Sequence, residues 1–269
     1  MLLEVNHLKI EFHDHEQPET VVDDVSFGLE EGEILGIVGE SGSGKSMTAM
    51  AIAGLLPRHR QKQSGSILFD RTDMANGSRA ELRKIQGNEI GIIFQEPMTS
   101  LNPLKKIGWQ VEESLRLHTD LNKKERKKRA LQALADAELP NPEEVYHLYP
   151  HNLSGGMRQR VMIAAAIVCN PRLLIADEPT TALDVTIQAQ IVKLLRRISK
   201  EYGMSVLFIS HDLSLIRQLC SRVLVMQHGK VVEMGEVEAI FSDPQEPYTK
   251  KLIAAIPKVP ERRSVQNGE

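Results

Sequence analysis

Residues Gly39-Glu40-Ser41-Gly42-Ser43-Gly44-Lys45-Ser46 satisfy the pattern G-x-x-x-x-G-K-[S/T] at every fixed position. The short apolar run Ile34–Val38 precedes them and reads as a buried strand. Met47–Ala53 follows and reads as the start of a helix. Strand, glycine loop and helix in this order form a phosphate-binding P-loop. The glycines let successive backbone N–H groups converge on an anion, and the helix N-terminus adds partial positive charge. Lys45 would reach the outer phosphates and the Ser46 hydroxyl would hold Mg²⁺. The four fixed positions should arise by chance about once per hundred chains of this length. Such a loop demands an α/β fold in which a strand delivers the chain into the turn.

The rest of the chain is consistent with that demand. Its 269 residues are 41% hydrophobic and 26% charged, as expected of a soluble protein with a sizeable core. A net charge of −3 and an aromatic content of 4% argue against a nucleic-acid partner. No run of about 18 apolar residues offers a membrane span. Met1–Val5 lacks the features of a signal peptide. Cys169 and Cys220 form neither a disulfide framework nor a metal-ligand set, which fits a cytosolic setting.

Residues 2–38 are β-rich, with a polar loop over His13–Thr20. Further strands are expected at Ser66–Asp70 and Ile90–Phe94, and a short helix at Arg79–Ile85. From 96 to about 153 the pattern turns helical, at Val111–His118 and Lys124–Glu138, interrupted by prolines. This reads as a helical insertion. Lys123–Arg129 carries six positive charges and one negative, read as a solvated helix face. Strand and helix then alternate from Arg158 to a hairpin at His228-Gly229-Lys230. Four later prolines mark what reads as a peripheral tail. The fold class is therefore α/β: a mostly parallel sheet with flanking helices, an N-terminal antiparallel β part, and an inserted helical subdomain. The boundaries are a core at about 1–95 and 158–235, an insertion at about 96–157, a tail at about 236–257, and a flexible end at 258–269.

Arg172–Glu178 supplies the second part of a site. Apolar residues run into Asp177 and Glu178, placing two acids at the C-terminal end of a buried strand, where open α/β sheets bind ligands. Asp177 suits Mg²⁺, directly or through water, and Glu178 suits a general base for attacking water. His211 ends the next apolar strand and Gln95 an earlier one, so both become candidates for the same site. Leu153-Ser154-Gly155-Gly156-Met157-Arg158-Gln159-Arg160 forms a second glycine-led helix start, a further anion-binding end. Two such ends with one P-loop lysine point to head-to-tail pairing, each glycine turn facing a partner's P-loop.

At these residues the chain resembles the ATP-binding-cassette ATPases over nearly its whole length. The resemblance implies a P-loop NTPase core with Walker A at 39–46 and a Q-loop at Gln95. It implies the signature motif at Leu153, Ser154, Gly155, Gly156 and Gln159, acting in trans on a partner's ATP. It further implies Walker B with a catalytic glutamate at Glu178, a D-loop at Ala182-Leu183-Asp184 and a switch histidine at His211. Mg²⁺ would then involve Ser46, Gln95 and Asp177. The adenine-stacking aromatic would be Phe12, with His13 and His15 as weaker alternatives. Phe94–Pro103, Tyr149–Asn152 and Pro247–Pro257 resemble, more narrowly, the ATPase subunits of oligopeptide, dipeptide and nickel importers. Glu246 departs from the histidine usual before Pro-Tyr-Thr. With two cysteines in all, no iron–sulfur cluster is expected.

The resemblance implies an ATPase that drives an importer, most readily of peptides and alternatively of nickel or a metal chelate. A soluble ATPase outside transport is a more distant alternative. Implied partners are a second ATPase subunit in a homo- or heterodimer, two transmembrane permease subunits and an extracytoplasmic solute-binding protein, with no nucleic acid. The expected location is the cytoplasmic face of the membrane. The groove around Gln95–Asn102 would receive a short permease helix.

Overall fold

The computed structural model describes residues 1–13, 18–57, 61–95, 100–181 and 183–256. His15, Glu96 to Thr99, Ala182, Pro257 and residues 258–269 lie outside them.

Two sheets organise the described residues. The first has the order β2-β1-β4-β5, from β1 (Leu3–Phe12), β2 (Glu19–Leu29), β4 (Gln61–Phe69) and β5 (Thr72–Asp73). All its pairings are antiparallel. The second has the order β10-β9-β3-β8-β7-β6. Its members are β3 (Ile34–Val38), β6 (Ile90–Ile93), β7 (Leu173–Asp177), β8 (Ser205–Ser210), β9 (Arg222–Gln227) and β10 (Lys230–Glu236). Strands β9, β3, β8, β7 and β6 run parallel, and β10 folds back antiparallel to β9.

The near-continuous apolar runs of the central strands reflect burial on both faces. Leu174, Ala176, Val206 and Phe208 enter one hydrophobic cluster, while the alternate Leu173, Ile175, Leu207 and Ile209 enter the other. Period-two alternation thus divides each strand between two cores. The second cluster joins the parallel sheet to the antiparallel one through α1 (Lys45–Ile52). The first joins it to the helices of the opposite face.

Those helices include α3 (Ile107–Val111), α4 (Glu113–His118), α5 (Lys123–Asp136), α6 (Pro142–His147) and α7 (Gly155–Ile167). Short α2 (Arg79–Ile85) precedes them, and α8 (Val185–Tyr202) and α9 (Leu213–Leu219) flank the later strands. The helix expected from Arg158 begins about one turn earlier, because Ser154 caps it through the N–H of Met157, and Asp184 caps α8 in the same way through the N–H of Ile187. The strand expected at Ser66 begins at Gln61, since its polar first half pairs with β1.

The tail requires correction. Rather than peripheral, it forms α10 (Val237–Ser242) and α11 (Pro247–Ala254), and Tyr248 of α11 is buried against the core.

Candidate functional site

Strand order assembles the site. β3, β8, β7 and β6 are consecutive neighbours in one sheet, and their C-terminal ends carry the P-loop, His211, Asp177–Glu178 and Gln95. Residues spread over more than a hundred positions therefore meet along one sheet edge, as expected for ligand binding in open α/β sheets.

The P-loop is a tight turn wedged between β2 and β9. Gly44 has φ of 98°, and a Cβ there would lie 2.8 Å from the carbonyl oxygen of Val21. A Cβ on Gly39 would lie 2.2 Å from the carbonyl oxygen of Met226. Only glycine satisfies both positions. Lys45 opens α1 and is 4% exposed. Its Nζ donates to the carbonyl oxygens of Gly39, at 2.9 Å, and Glu40, at 2.8 Å. Burial pulls the ammonium below its ordinary pKa, opposed by the carboxylates of Glu178 and Asp177. A lysine so placed is a cation withheld from water, ready for an anion.

Next to it, the Ser46 hydroxyl donates to Oδ1 of Asp177 at 3.0 Å. Burial raises the Asp177 carboxyl above its ordinary value, and the Ser46 hydrogen bond opposes this. A hydroxyl and a carboxylate at this distance are hard oxygen donors that suit Mg²⁺, which takes few protein ligands and completes its shell with water and phosphate.

Glu178 takes a left-handed φ of 44° directly after β7, and its N–H bonds the Ile209 carbonyl. Its Oε2 accepts from Gln95 Nε2 at 3.2 Å and Thr181 Oγ1 at 2.8 Å, with His211 Nδ1 at 3.1 Å. Three groups from three segments thus converge on one carboxylate oxygen. An off-pattern backbone and three polar groups gathered on one side-chain oxygen at a strand end mark a functional position. The sequence reading missed Thr181. Its signal was the spacing: a hydroxyl three residues past the acid, in the turn that Thr181 N closes onto the Glu178 carbonyl.

The signature residues divide. Ser154 and Gly155 are exposed and Gly156 half-buried, so this turn is presented to solvent. Leu153 and Gln159 are buried, at 4% and 1% exposure, and face their own chain. On α7 the inward-facing stripe includes Gln159, so the surface this segment presents is the Ser154-Gly155-Gly156 turn. Asp184 caps α8, and Leu183 packs against the first core cluster. Phe12, the last residue of β1, is half-buried against the second cluster, and His13 beside it is exposed.

A groove of about 570 Å³ opens beside Gln95, between β6 and the helical segment. Leu55, Phe94, Leu101, Leu117 and Met162 contribute its apolar lining, and Leu117 is 74% exposed.

Comparison with known proteins agrees with this geometry. A family model described as ABC transporter matches residues 22–181, and one described as oligopeptide/dipeptide transporter, C-terminal region, matches residues 232–268. The peptidoglycan transport ATP-binding protein YejF of Agrobacterium fabrum is 52% identical over 96% of this chain, which spans 47% of that protein. The dipeptide transport ATP-binding protein DppD of Haemophilus influenzae is 47% identical over 98% of this chain, which spans 80% of that protein. The dimeric post-hydrolysis structure of the ATP-binding cassette MJ0796, bound to ADP and Pi, superposes with a TM-score of 0.78. Identity there is 31%, with 87% of this chain and 98% of that chain covered. With a family model over more than half of its residues, a relative 47% identical over 98% of its length and a cassette structure superposing at a TM-score of 0.78, the chain belongs to the ABC transporter family as an ATP-binding cassette.

Proposed function

We propose that this chain is the ATP-hydrolysing subunit of an importer of dipeptides or oligopeptides. The observation that carries the catalytic part is the convergence of Gln95, Thr181 and His211 on Oε2 of Glu178, beside the Ser46–Asp177 pair. Glu178 would take a proton from the water that attacks the outer phosphate, and His211 and Gln95 hold its carboxylate in place. Lys45, withdrawn from water, binds the β- and γ-phosphates, and the P-loop N–H groups bind the rest of the triphosphate. Ser46 and Asp177 would hold Mg²⁺, which neutralises phosphate charge when bound. Gln95 reaches the same region with its amide nitrogen on Glu178, so its amide oxygen is the group suited to a cation.

The site is completed by a second cassette. The exposed Ser154-Gly155-Gly156 turn is suited to the phosphates of a partner's ATP, and the partner's equivalent to those on this P-loop. The dimeric cassette with ADP and Pi supports this arrangement. The chain is then one nucleotide-binding domain with a helical subdomain, and Phe12 is the nearest match to an adenine-stacking aromatic. Among the described residues no helix is long and apolar enough to cross a membrane. Separate permease subunits would form the path, docking a short helix in the apolar groove beside Gln95 from the cytoplasmic face. A solute-binding protein would deliver the cargo.

Support for peptides comes from the relatives' names and from the match to the oligopeptide/dipeptide C-terminal region. Nickel import has no comparable support among these relatives. The test is purification from solubilised membranes followed by reconstitution. Integral membrane partners should co-purify, and peptide-loaded binding protein should stimulate ATP hydrolysis. Stimulation by a nickel-loaded binding protein and not by the peptide-loaded one would overturn the cargo assignment.

A further inference from the structure

The Pro247–Pro257 motif was singled out by resemblance, yet the ATPase cycle above gives it no task. The structure places its aromatic residue on the P-loop. The Tyr248 hydroxyl, on α11, accepts the backbone N–H of Glu40 at 3.0 Å, across 208 positions of sequence. The carbonyl of that same residue accepts from Lys45 Nζ at 2.8 Å. Glu40 therefore stands between Tyr248 and the phosphate-binding lysine, held on one side and holding on the other.

The far end of this link is also tied down. Glu233 on β10 accepts the backbone N–H groups of Gln245, at 2.7 Å, and Glu246, at 3.2 Å, just ahead of α11. The hairpin between β9 and β10 contacts the loop from the other side, where Gly229 N donates to the Ser43 carbonyl at 3.1 Å. The tail and the hairpin thus close a ring through the P-loop: Ser43, β10, Glu233, α11, Tyr248, Glu40. Tyr248 is 8% exposed, so water has little access with which to replace its hydroxyl.

We propose that Tyr248 is a positioning residue for ATP, holding the Glu40 peptide so that Lys45 and the loop N–H groups meet the triphosphate in register. Through Glu233 the tail helix and the nucleotide are coupled, so that Mg-ATP also orders α11. The proposal rests on the ATP-binding reading of the P-loop.

The test uses the full chain with Mg-ATP. Tyr248→Phe keeps the ring and removes the acceptor. Its equilibrium Kd for Mg-ATP and its KM should rise about five-fold, the equivalent of one net hydrogen bond, with kcat within about two-fold of wild type. Glu233→Ala should weaken binding in the same direction, and the double variant should bind no worse than the weaker single one. In wild type, Mg-ATP should slow hydrogen exchange at the Glu40 amide and in residues 246–254, and Tyr248→Phe should abolish the effect at Glu40. A wild type that binds Mg-ATP, with a Tyr248→Phe Kd within two-fold of it and unaltered exchange protection, overturns the inference alone. A wild type that binds no Mg-ATP overturns the ATP-binding reading with it.

Discussion

Asp177 and Glu178 are adjacent in sequence, yet the fold gives them different surroundings. Asp177 ends a strand and is buried beside Ser46, so its folded-state pKa lies above its ordinary value of 3.8. The folded chain holds that proton more tightly than the unfolded chain. Its contribution favours folding below about pH 4 and is lost as pH rises through the raised value. At neutral pH the buried carboxylate is a cost that a bound cation offsets. Asp177→Asn should therefore raise the melting temperature of the nucleotide-free protein by about 2–4 °C at pH 7. The gap should narrow as pH falls, and the Mg²⁺-dependent part of stabilisation by ATP should vanish; thermal melts with and without Mg-ATP measure all three. Thr181→Ala removes one of the groups on Glu178 and should lower kcat about five-fold while sparing ATP affinity. The two acids were legible because an apolar run delivers them to a strand end. Thr181 carried only a faint spacing signal, a hydroxyl three residues past the acid, and Tyr248 carried none, because its partner is set by the docking of the tail.

At the scale of elements, the strands were the most legible part, since their apolar runs and turn residues are local signals. The helical insertion was legible as helices, but the joint that holds it together was not. Glu112, between α3 and α4, is 4% exposed and accepts from Arg116 at 3.2 Å and from the Tyr146 hydroxyl of α6. Arg126 of α5 lies 3.7 Å from it. Burial, then the bond to Glu112, pushes the Tyr146 pKa up to about 12. One carboxylate thus gathers groups from three further helices, a joint no periodicity discloses. Glu112→Ala leaves two arginines and a tyrosine around an unbalanced site and should destabilise the fold by about 3 kcal/mol in denaturant titrations. Its effect on Mg-ATP affinity should stay within two-fold, because the P-loop belongs to the other core cluster and the sheet.

For the whole molecule, parallel strand order explains how a P-loop at residue 39 and a glutamate at 178 become neighbours, an outcome that alternating β and α signals already implied. What lay beyond the sequence was orientation: which signature residues face outward. Gly155 is exposed, and among the described residues a Cβ there would meet only Leu183 Cδ2 within 4 Å, at 3.9 Å. If the turn serves the partner's nucleotide as proposed, Gly155→Asp should fold normally and bind Mg-ATP within two-fold of wild type, yet in the assembled transporter lose hydrolysis about 100-fold. The measurement closest to the central claim is a paired one on Glu178→Gln: equilibrium Mg-ATP binding alongside steady-state hydrolysis. The account predicts a Kd within about two-fold of wild type and turnover reduced about 100-fold or more. Unchanged turnover at unchanged affinity would contradict it.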